Sequence, residues 1–518
     1  MRARFEDKQS LAALVQKLDS RVIAPEVISA LVSLNSAYSS PSKLESFSKL
    51  KGPPPLFVIT GQQVGLFGGP LLTIYKAVTA IKAAKELSKE LNRAVIPVFW
   101  LQSEDHDLVE VASCTVISSS GLPKAFSYDL ERAKGNRQSL SEVLLGDEIS
   151  PLLQDLSGAL LSEPYAVELL GTLRNCYVPD VSWSEAFFKF YSELFKDTEL
   201  LFFDLNRSKL KETLSVKEVF RKSITELAQI ESTLINSTKE EKIVDGVLIK
   251  PNSPLCFIED KEKNRFRLTL EEDGFYRVKN QPNISFSKSE LLELIDKAPE
   301  RFSSSALLRP IIQDTLFRTL AYVGGDAELN YHHQLNTLYQ QFSLLPPLLI
   351  PRSKFRLLSK KADQIVNELL LDLDDYNLEN EKIGDLLRSK GKPFGIDGDL
   401  YLNEVGVEIG RLSRKFKELL EQIDPTLEEP LRKTSATALN AYSQFISRLS
   451  KASIQKDSVV LNRIERVRAE VFPFGIEQER GLGIILILAR IGPGFLQLVE
   501  EQCGLSNSGF HKIVLEEL

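Results

Sequence analysis

The chain has 518 residues, 43% hydrophobic and 26% charged, a globular balance that excludes a wholly disordered or fibrous protein and calls for two or three structural units. Its net charge of −7 leaves no basic footprint, which argues against duplex nucleic acid as a partner and favours small polar substrates. The charged start Met1 to Lys8 lacks an apolar leader, and the longest apolar run, Ile484 to Ala489, is too short to span a bilayer, so a cytoplasmic protein without membrane contact is expected.

Leu11, Leu14, Val15 and Leu18 recur at helical spacing and predict a helix ending before Pro25. Leu56-Phe57-Val58-Ile59 then reads as a buried strand running into the glycine-rich turn Gly61 to Pro70. From Thr73 to Leu91 there is neither Gly nor Pro, and Ile74, Val78 and Ile81 mark one helical face. Val95 to Leu101 is a second apolar strand. Strand, helix and strand at this spacing make a right-handed crossover, hence a parallel sheet and an α/β, Rossmann-like core. Leu200 to Asp204 and Leu348 to Pro351 read as later strands of that sheet.

Between these strands the pattern departs from simple alternation, which predicts inserts at about 120–180 and 215–300. The first has helical spacing. In the second, Leu255 to Ile258 and Arg265 to Leu270 alternate with period two and predict a small antiparallel hairpin region. Neither carries an evident chemical motif. In the C-terminal third Val405, Ile409, Leu412, Phe416, Leu419 and Ile423 form a coiled-coil seam ending at Pro425. Leu439, Tyr442, Ile446 and Leu449 repeat it, so an α-helical antiparallel hairpin is expected, packed either within the chain or against a second copy as a homodimer. The domain reading is a core over 1–375, a coiled-coil domain over 376–465, and a segment 466–518 returning to the core.

Three constellations carry chemistry. Thr60, Gly61, Gln62, Gln63, Gly65 and Gly69 form a loop at a strand end, with Tyr75 and Lys76 in the next helix. Glycine amides there would approach an anion, with the helix start and Lys76 adding charge. The alternative is a tight structural turn, which leaves the amide pair Gln62–Gln63 unexplained. Trp100 and then Glu104-Asp105-His106-Asp107 end the second strand; three carboxylates favour a histidine that acts as cation, base partner or metal ligand. The third cluster holds Arg309, Gln313, Gly324, Gly325, Glu328, Tyr331 and the pair His332–His333, with Arg352 beyond. Gly324–Gly325 offers another anion-binding helix start, at most one of the paired histidines serves a site, and the arginines are candidates for carboxylate or phosphate recognition. The four cysteines, Cys114, Cys176, Cys256 and Cys503, form no C-x-x-C pair and read as reduced structural thiols.

At these residues the chain resembles the bacillithiol-biosynthesis cysteine-adding enzyme family. The family's T-G-Q-Q-x-G-L-x-x-G-P segment is matched by Thr60 to Pro70, its F-W-x-x-x-E-D-H-D by Phe99 to Asp107, and its L-R-P-x-x-Q-D by Leu308 to Asp314. The A-Y-V-G-G stretch leading to Glu328 and Tyr331, Pro351-Arg352 and Gln478-Glu479-Arg480 are also similar. Departures are Ser303-Ser304-Ser305 ahead of the arginine, Gly325-Asp326-Ala327-Glu328 for a Gly-Pro-Gly-Glu, and His332 for an aromatic. The resemblance implies a Rossmann-like core with two connecting inserts and a dimeric coiled-coil domain. It also implies a ligase that joins the carboxyl group of L-cysteine to the amine of glucosaminyl-malate, with ATP and Mg²⁺ activating the carboxyl as an adenylate or phosphate. On that reading His106, oriented by Asp105 or Asp107, takes the amine proton, Arg309 clamps a carboxylate, Glu104 or Asp107 holds transient Mg²⁺, and there is no permanent metal. Two other classes stay open: a metal-dependent hydrolase using Glu104 to Asp107, and a non-catalytic nucleotide or sugar sensor with a recruiting coiled coil.

Overall fold

A computed structural model describes residues 7–118, 121–129, 137–241, 243, 246–278, 281–391, 394, 398–505 and 509–515. The chain divides into two compact units, one of residues 1–356 with 478–512 and one of 357–477 with 513–518. The boundary thus falls at 356/357 rather than 375/376, and the second unit keeps residues 466–477 of the segment expected to return to the core.

The strands of the first unit are β1 (Leu56–Gln62), β2 (Val95–Leu101), β3 (Ser113–Ile117), β4 (Pro123–Ser127), β5 (Leu201–Phe203), β6 (Cys256–Glu259), β7 (Arg265–Leu270), β8 (Tyr276–Val278), β9 (Gln281–Phe286), β10 (Phe302–Ser304), β11 (Thr319–Gly324) and β12 (Leu348–Pro351). Five form a parallel sheet in the order β12-β11-β1-β2-β5. Every residue of β2 and all but the last of β1 are buried, as strands covered on both faces require, which is why they read as unbroken apolar runs. The Leu71–Leu91 helix joins β1 to β2 and buries fourteen side chains, from Leu71 to Leu87. The four strands and the crossover helix read from the sequence are therefore present in one sheet, with β11 as the additional member.

The first insert contains the expected helices, Ile149–Leu160 and Ala166–Cys176. Ahead of them lies an unpredicted hairpin of β3 and β4. The second insert is more than a hairpin: it is a five-stranded antiparallel sheet in the order β10-β6-β7-β8-β9. Its Cys256, Ile258, Phe266 and Leu268 belong to the same apolar core as Phe57, Ile59, Val98 and Trp100 of the parallel sheet. That shared core fixes the insert rigidly over the sheet's carboxyl end.

In the second unit the helices Lys360–Leu369 and Asn380–Ser389 pack with the last turns of the long helix Glu428–Val471, burying Ile365, Val366, Ile383, Leu387, Ile464, Val467 and Val471. The antiparallel hairpin is formed by Gly398–Ile423 and Glu428–Val471, with Asp424 capping the turn at Pro425. Its inner contact is marked by Ser413 and Ser435, whose hydroxyls lie 2.8 Å apart. The predicted seam is largely left open: Leu412, Phe416, Leu419 and Ile423 are exposed, as are Leu439, Tyr442 and Leu449. Among the described residues no helix is long and apolar enough to cross a membrane.

Candidate functional site

The strands following β1 run outward on one side through β2 and later return on the other through β11, so the sheet order switches between β1 and β11. Open parallel sheets take ligands at the carboxyl ends beside such a switch. There Lys76 donates to the Gly61 carbonyl at 2.9 Å and to Gln62 Oε1 at 2.7 Å, and pairs with Glu328. Burial holds the Lys76 ammonium below its ordinary value, only partly offset by Glu328. Burial would lift the Glu328 carboxyl, but Lys76 more than compensates and leaves it lowered. Glu328 also accepts from the Gly325 amide at 2.9 Å and the Tyr322 hydroxyl at 3.1 Å. Arg309 donates to Tyr322 Oη at 3.2 Å, Tyr331 Oη at 3.1 Å and Gln313 Oε1 at 3.1 Å. One continuous network therefore ties the first and third constellations together.

Beside this network lies a cavity of about 300 Å³, lined by Trp100, Gln102, Glu104, Asp105 and His106 from the end of β2 and by Arg309 and Tyr331. Its opposite wall is the second insert: Phe257, Arg265, Arg267 and Ser304, with Lys250 at the edge. Glu104 is buried, pairs with Lys211 at 2.7 Å and accepts from the Ser304 amide and hydroxyl at 3.2 and 2.6 Å. Burial raises its carboxyl, and Lys211 with Ser304 outweighs that, leaving it below the usual range. Asp105 accepts from Gln63 Nε2 at 2.8 Å and the His106 amide at 2.8 Å. Against the effect of burial, His106, Arg265 and Gln63 hold its carboxyl well below the usual range. The Nδ1 of His106 lies 3.1 Å from Arg265 Nη1. Arg265 is itself held by Ser303 Oγ at 2.8 Å and the Ser304 carbonyl at 2.6 Å, and stacks 3.7 Å from the Phe257 ring centre. Arg267 covers the same ring at 4.9 Å. Lys250 and Arg267 form no ion pair with a described residue, so the cavity presents uncompensated positive charge.

Several expected ligand contacts are used inside the protein instead. The glycine loop does not present its amides: Gly65 N donates to the Gln63 carbonyl, Gly68 N to the Tyr177 hydroxyl and Gly69 N to the Leu66 carbonyl. The glycines serve packing, since a Cβ on Gly65 would sit 2.6 Å from Gly69 Cα, and Gly68 has φ +90° against Ile484. Thr60 donates to the Val323 carbonyl and Tyr75 is buried against Phe355. The Gly324–Gly325 helix start is capped by Glu328 of its own first turn. Asp107 is exposed and caps the short helix Leu108–Val111, so it stands apart from the cavity. Arg352 forms a buried bidentate pair with Glu479. His332 is buried and stacked 4.2 Å from Tyr322, whereas His333 is exposed. Gln62 and Gln63 are accounted for, because they bridge Lys76 and Asp105. All four cysteines are buried and unbridged, and burial pushes Cys114 up to about 12 and Cys176 and Cys256 to about 11, far from thiolates at neutral pH.

The residues missed from the sequence are Lys211, Phe257, Arg265, Arg267 and Ser304. Arg265 and Arg267 alternate with the core residues Phe266 and Leu268, so period two puts them together on the strand's other face, which from the sequence alone reads as an ordinary solvated face. Lys211 had no signal. Among the described residues no three His, Cys, Asp or Glu side chains are grouped to hold a metal ion.

A parallel sheet with a polar cavity beside its switch point, walled by an inserted antiparallel sheet and accompanied by a separate coiled-coil unit, defines a Rossmann-like protein. Residues 2–353 match the family described as "Bacillithiol biosynthesis BshC, N-terminal Rossmann-like domain", and residues 355–515 match its "C-terminal coiled-coil domain". The chain belongs to the BshC family of bacillithiol biosynthesis, a family of ligases. Similar proteins, each named "Putative cysteine ligase BshC", occur in Chlorobium phaeobacteroides (28% identical over 506 residues, 95% of this chain and 88% of that one) and in Chloroherpeton thalassium (29% over 517 residues, 96% and 90%). The relative from Bacillus cytotoxicus is 26% identical over 484 residues, 92% of this chain and 87% of that one.

Proposed function

We propose that this cavity joins the carboxyl group of L-cysteine to the amine of glucosaminyl-malate, with ATP as the activating co-substrate, in the cytoplasm. The observation that carries the reading is the convergence at one cavity of Glu104, Asp105 and His106 with the insert's unpaired Lys250 and Arg267. Both substrates are carboxylates, and unpaired guanidinium and ammonium groups in a half-enclosed site recognise carboxylate and phosphate oxygens. Lys250 and Arg267 would hold the phosphates of ATP, in place of the glycine-loop amides, which are spent internally. The nucleotide would supply a leaving group on the cysteine carboxyl, without which amide formation in water runs uphill. Glu104 fits a Mg²⁺ ligand poorly, since its two oxygens are taken by Lys211 and Ser304; the ion would travel with the phosphates.

His106 is the side chain on which turnover is expected to depend. With purified full-length protein, glucosaminyl-malate, cysteine and ATP, His106→Ala should lower the rate of product formation by about 100-fold or more, the usual cost of losing one preorganised polar group at a reacting centre. Unchanged turnover removes His106 from the mechanism, and the absence of product with the wild-type chain rejects the ligase reading.

The open apolar row Leu412, Phe416, Leu419 and Ile423 supports a homodimer through the coiled coil. Sedimentation equilibrium should give a dimer for the wild type and a monomer for Phe416→Glu/Leu419→Glu. A wild-type monomer at micromolar concentration rejects that interface.

A further inference from the structure

An arginine guanidinium donates hydrogen bonds and accepts none, so the nitrogen facing Arg265 Nη1 at 3.1 Å must carry a lone pair. That nitrogen is His106 Nδ1. A neutral imidazole with its lone pair on Nδ1 has its hydrogen on Nε2, and an imidazolium would set two N–H groups against each other.

The alternative partner for Nδ1 is Asp105, whose Oδ1 is 3.6 Å away, beyond hydrogen-bond range, and already accepts from the His106 amide. Arg265 Nη1 lies 3.7 Å from the same oxygen, so of the three separations in this triangle only the one between Arg265 and the ring nitrogen is of hydrogen-bond length. Its own position is overdetermined by Ser303 Oγ and the Ser304 carbonyl on β10 and by the Phe257 face on β6, two other strands of the same sheet.

We propose that Arg265 is a positioning residue that fixes His106 as the Nε2–H tautomer, so that His106 enters the reaction as a hydrogen-bond donor rather than as the base for the attacking amine. This rests on the ligase reading for its chemical consequence, though not for the tautomer itself. A donor at Nε2 serves charge building up on an oxygen of the activated carboxyl or of its leaving group. It cannot take a proton from an amine while Nδ1 is engaged. The insert, which looked chemically silent in the sequence, thereby sets the protonation geometry of a residue roughly 160 positions earlier in the chain.

The test is a long-range ¹H–¹⁵N correlation spectrum of full-length protein labelled with ¹⁵N-histidine, near neutral pH. Only four histidines are present, and loss of one set of peaks in His106→Gln assigns the signal. In the wild type, His106 is expected to show an unprotonated, hydrogen-bonded Nδ1 and a protonated Nε2. In Arg265→Met the ring should become a mixture or reverse, with Nδ1–H turning to Asp105. Turnover of that variant should fall about 10- to 100-fold while the KM for cysteine and for glucosaminyl-malate changes by less than about threefold, because histidines in the wrong tautomer lose turnover rather than binding. Arg265→Lys, which keeps a donor, should retain the tautomer and restore part of the rate. If Arg265→Met does not fold, the wild-type and Arg265→Lys spectra carry the decision. A proton on Nδ1 in the wild type, or an unchanged tautomer in a folded Arg265→Met, overturns the proposal. If the spectra agree but the wild type forms no product, the ligase reading falls and the tautomer assignment stands.

Discussion

Arg352→Met is expected to destabilise the first unit by about 3–5 kcal/mol, read from urea denaturation at neutral pH, because it leaves Glu479 as an uncompensated buried carboxylate. Arg352 and Glu479 have side chains only 3% and 5% exposed and face each other through both guanidinium nitrogens and both carboxylate oxygens, one contact at 2.5 Å. Such a pair stores little net stability, since each charge lost its water on burial; the cost lies in breaking it. The double substitution Arg352→Met/Glu479→Leu should therefore recover most of the loss. Additive losses in the double variant would show that each residue acts independently. The same geometry removes Arg352 from the ligand-contacting residues, since Glu479 takes the bidentate face that a substrate carboxylate would need.

Glu328→Gln should cost about 3 kcal/mol, at the lower end of the range for a buried pair, since Lys76 keeps the Gly61 carbonyl and Gln62 Oε1 as acceptors. Its pH dependence gives a sharper test. Lys76 already has its ammonium held below the ordinary lysine value by burial, and without Glu328 it drops further. A lysine whose folded value is depressed binds fewer protons folded than unfolded between its two pKa values, so stability rises with pH across that window. Glu328→Gln should thus regain stability as pH rises from neutrality toward 10.5, more steeply than the wild type. A parallel pair of stability curves would show that Lys76 is not charged in the native state.

The fold was legible where burial forces a simple pattern. β1 and β2 are covered on both faces and read as continuous apolar runs, and the Leu71–Leu91 helix follows from a long stretch without Gly or Pro. The site was legible in part. The strand-end placement of Glu104 to His106 was visible because strand and polar cluster adjoin in sequence, and Gln62–Gln63 were flagged by an amide pair with no structural excuse. The glycine loop misled because close packing and anion binding both select glycine; only the tertiary structure distinguishes a Gly65–Gly69 contact from an open cradle. Arg265, Lys211 and Ser304 reach the cluster across long sequence separations, through a shared core that no local pattern encodes. The open coiled-coil face was visible as periodicity, though periodicity names no partner.

The central strand also governs how this protein is born. β1 pairs with β2 soon after it is made, but its other edge waits for β11, from Gln62 to Thr319 in the chain. At ordinary translation speeds roughly 250 residues take on the order of ten seconds or more to synthesise. Throughout that interval a strand that opens on four apolar residues, Leu56 to Ile59, carries one unpaired edge outside the ribosome, which makes the nascent chain a demanding client for chaperones and favours expression at low temperature.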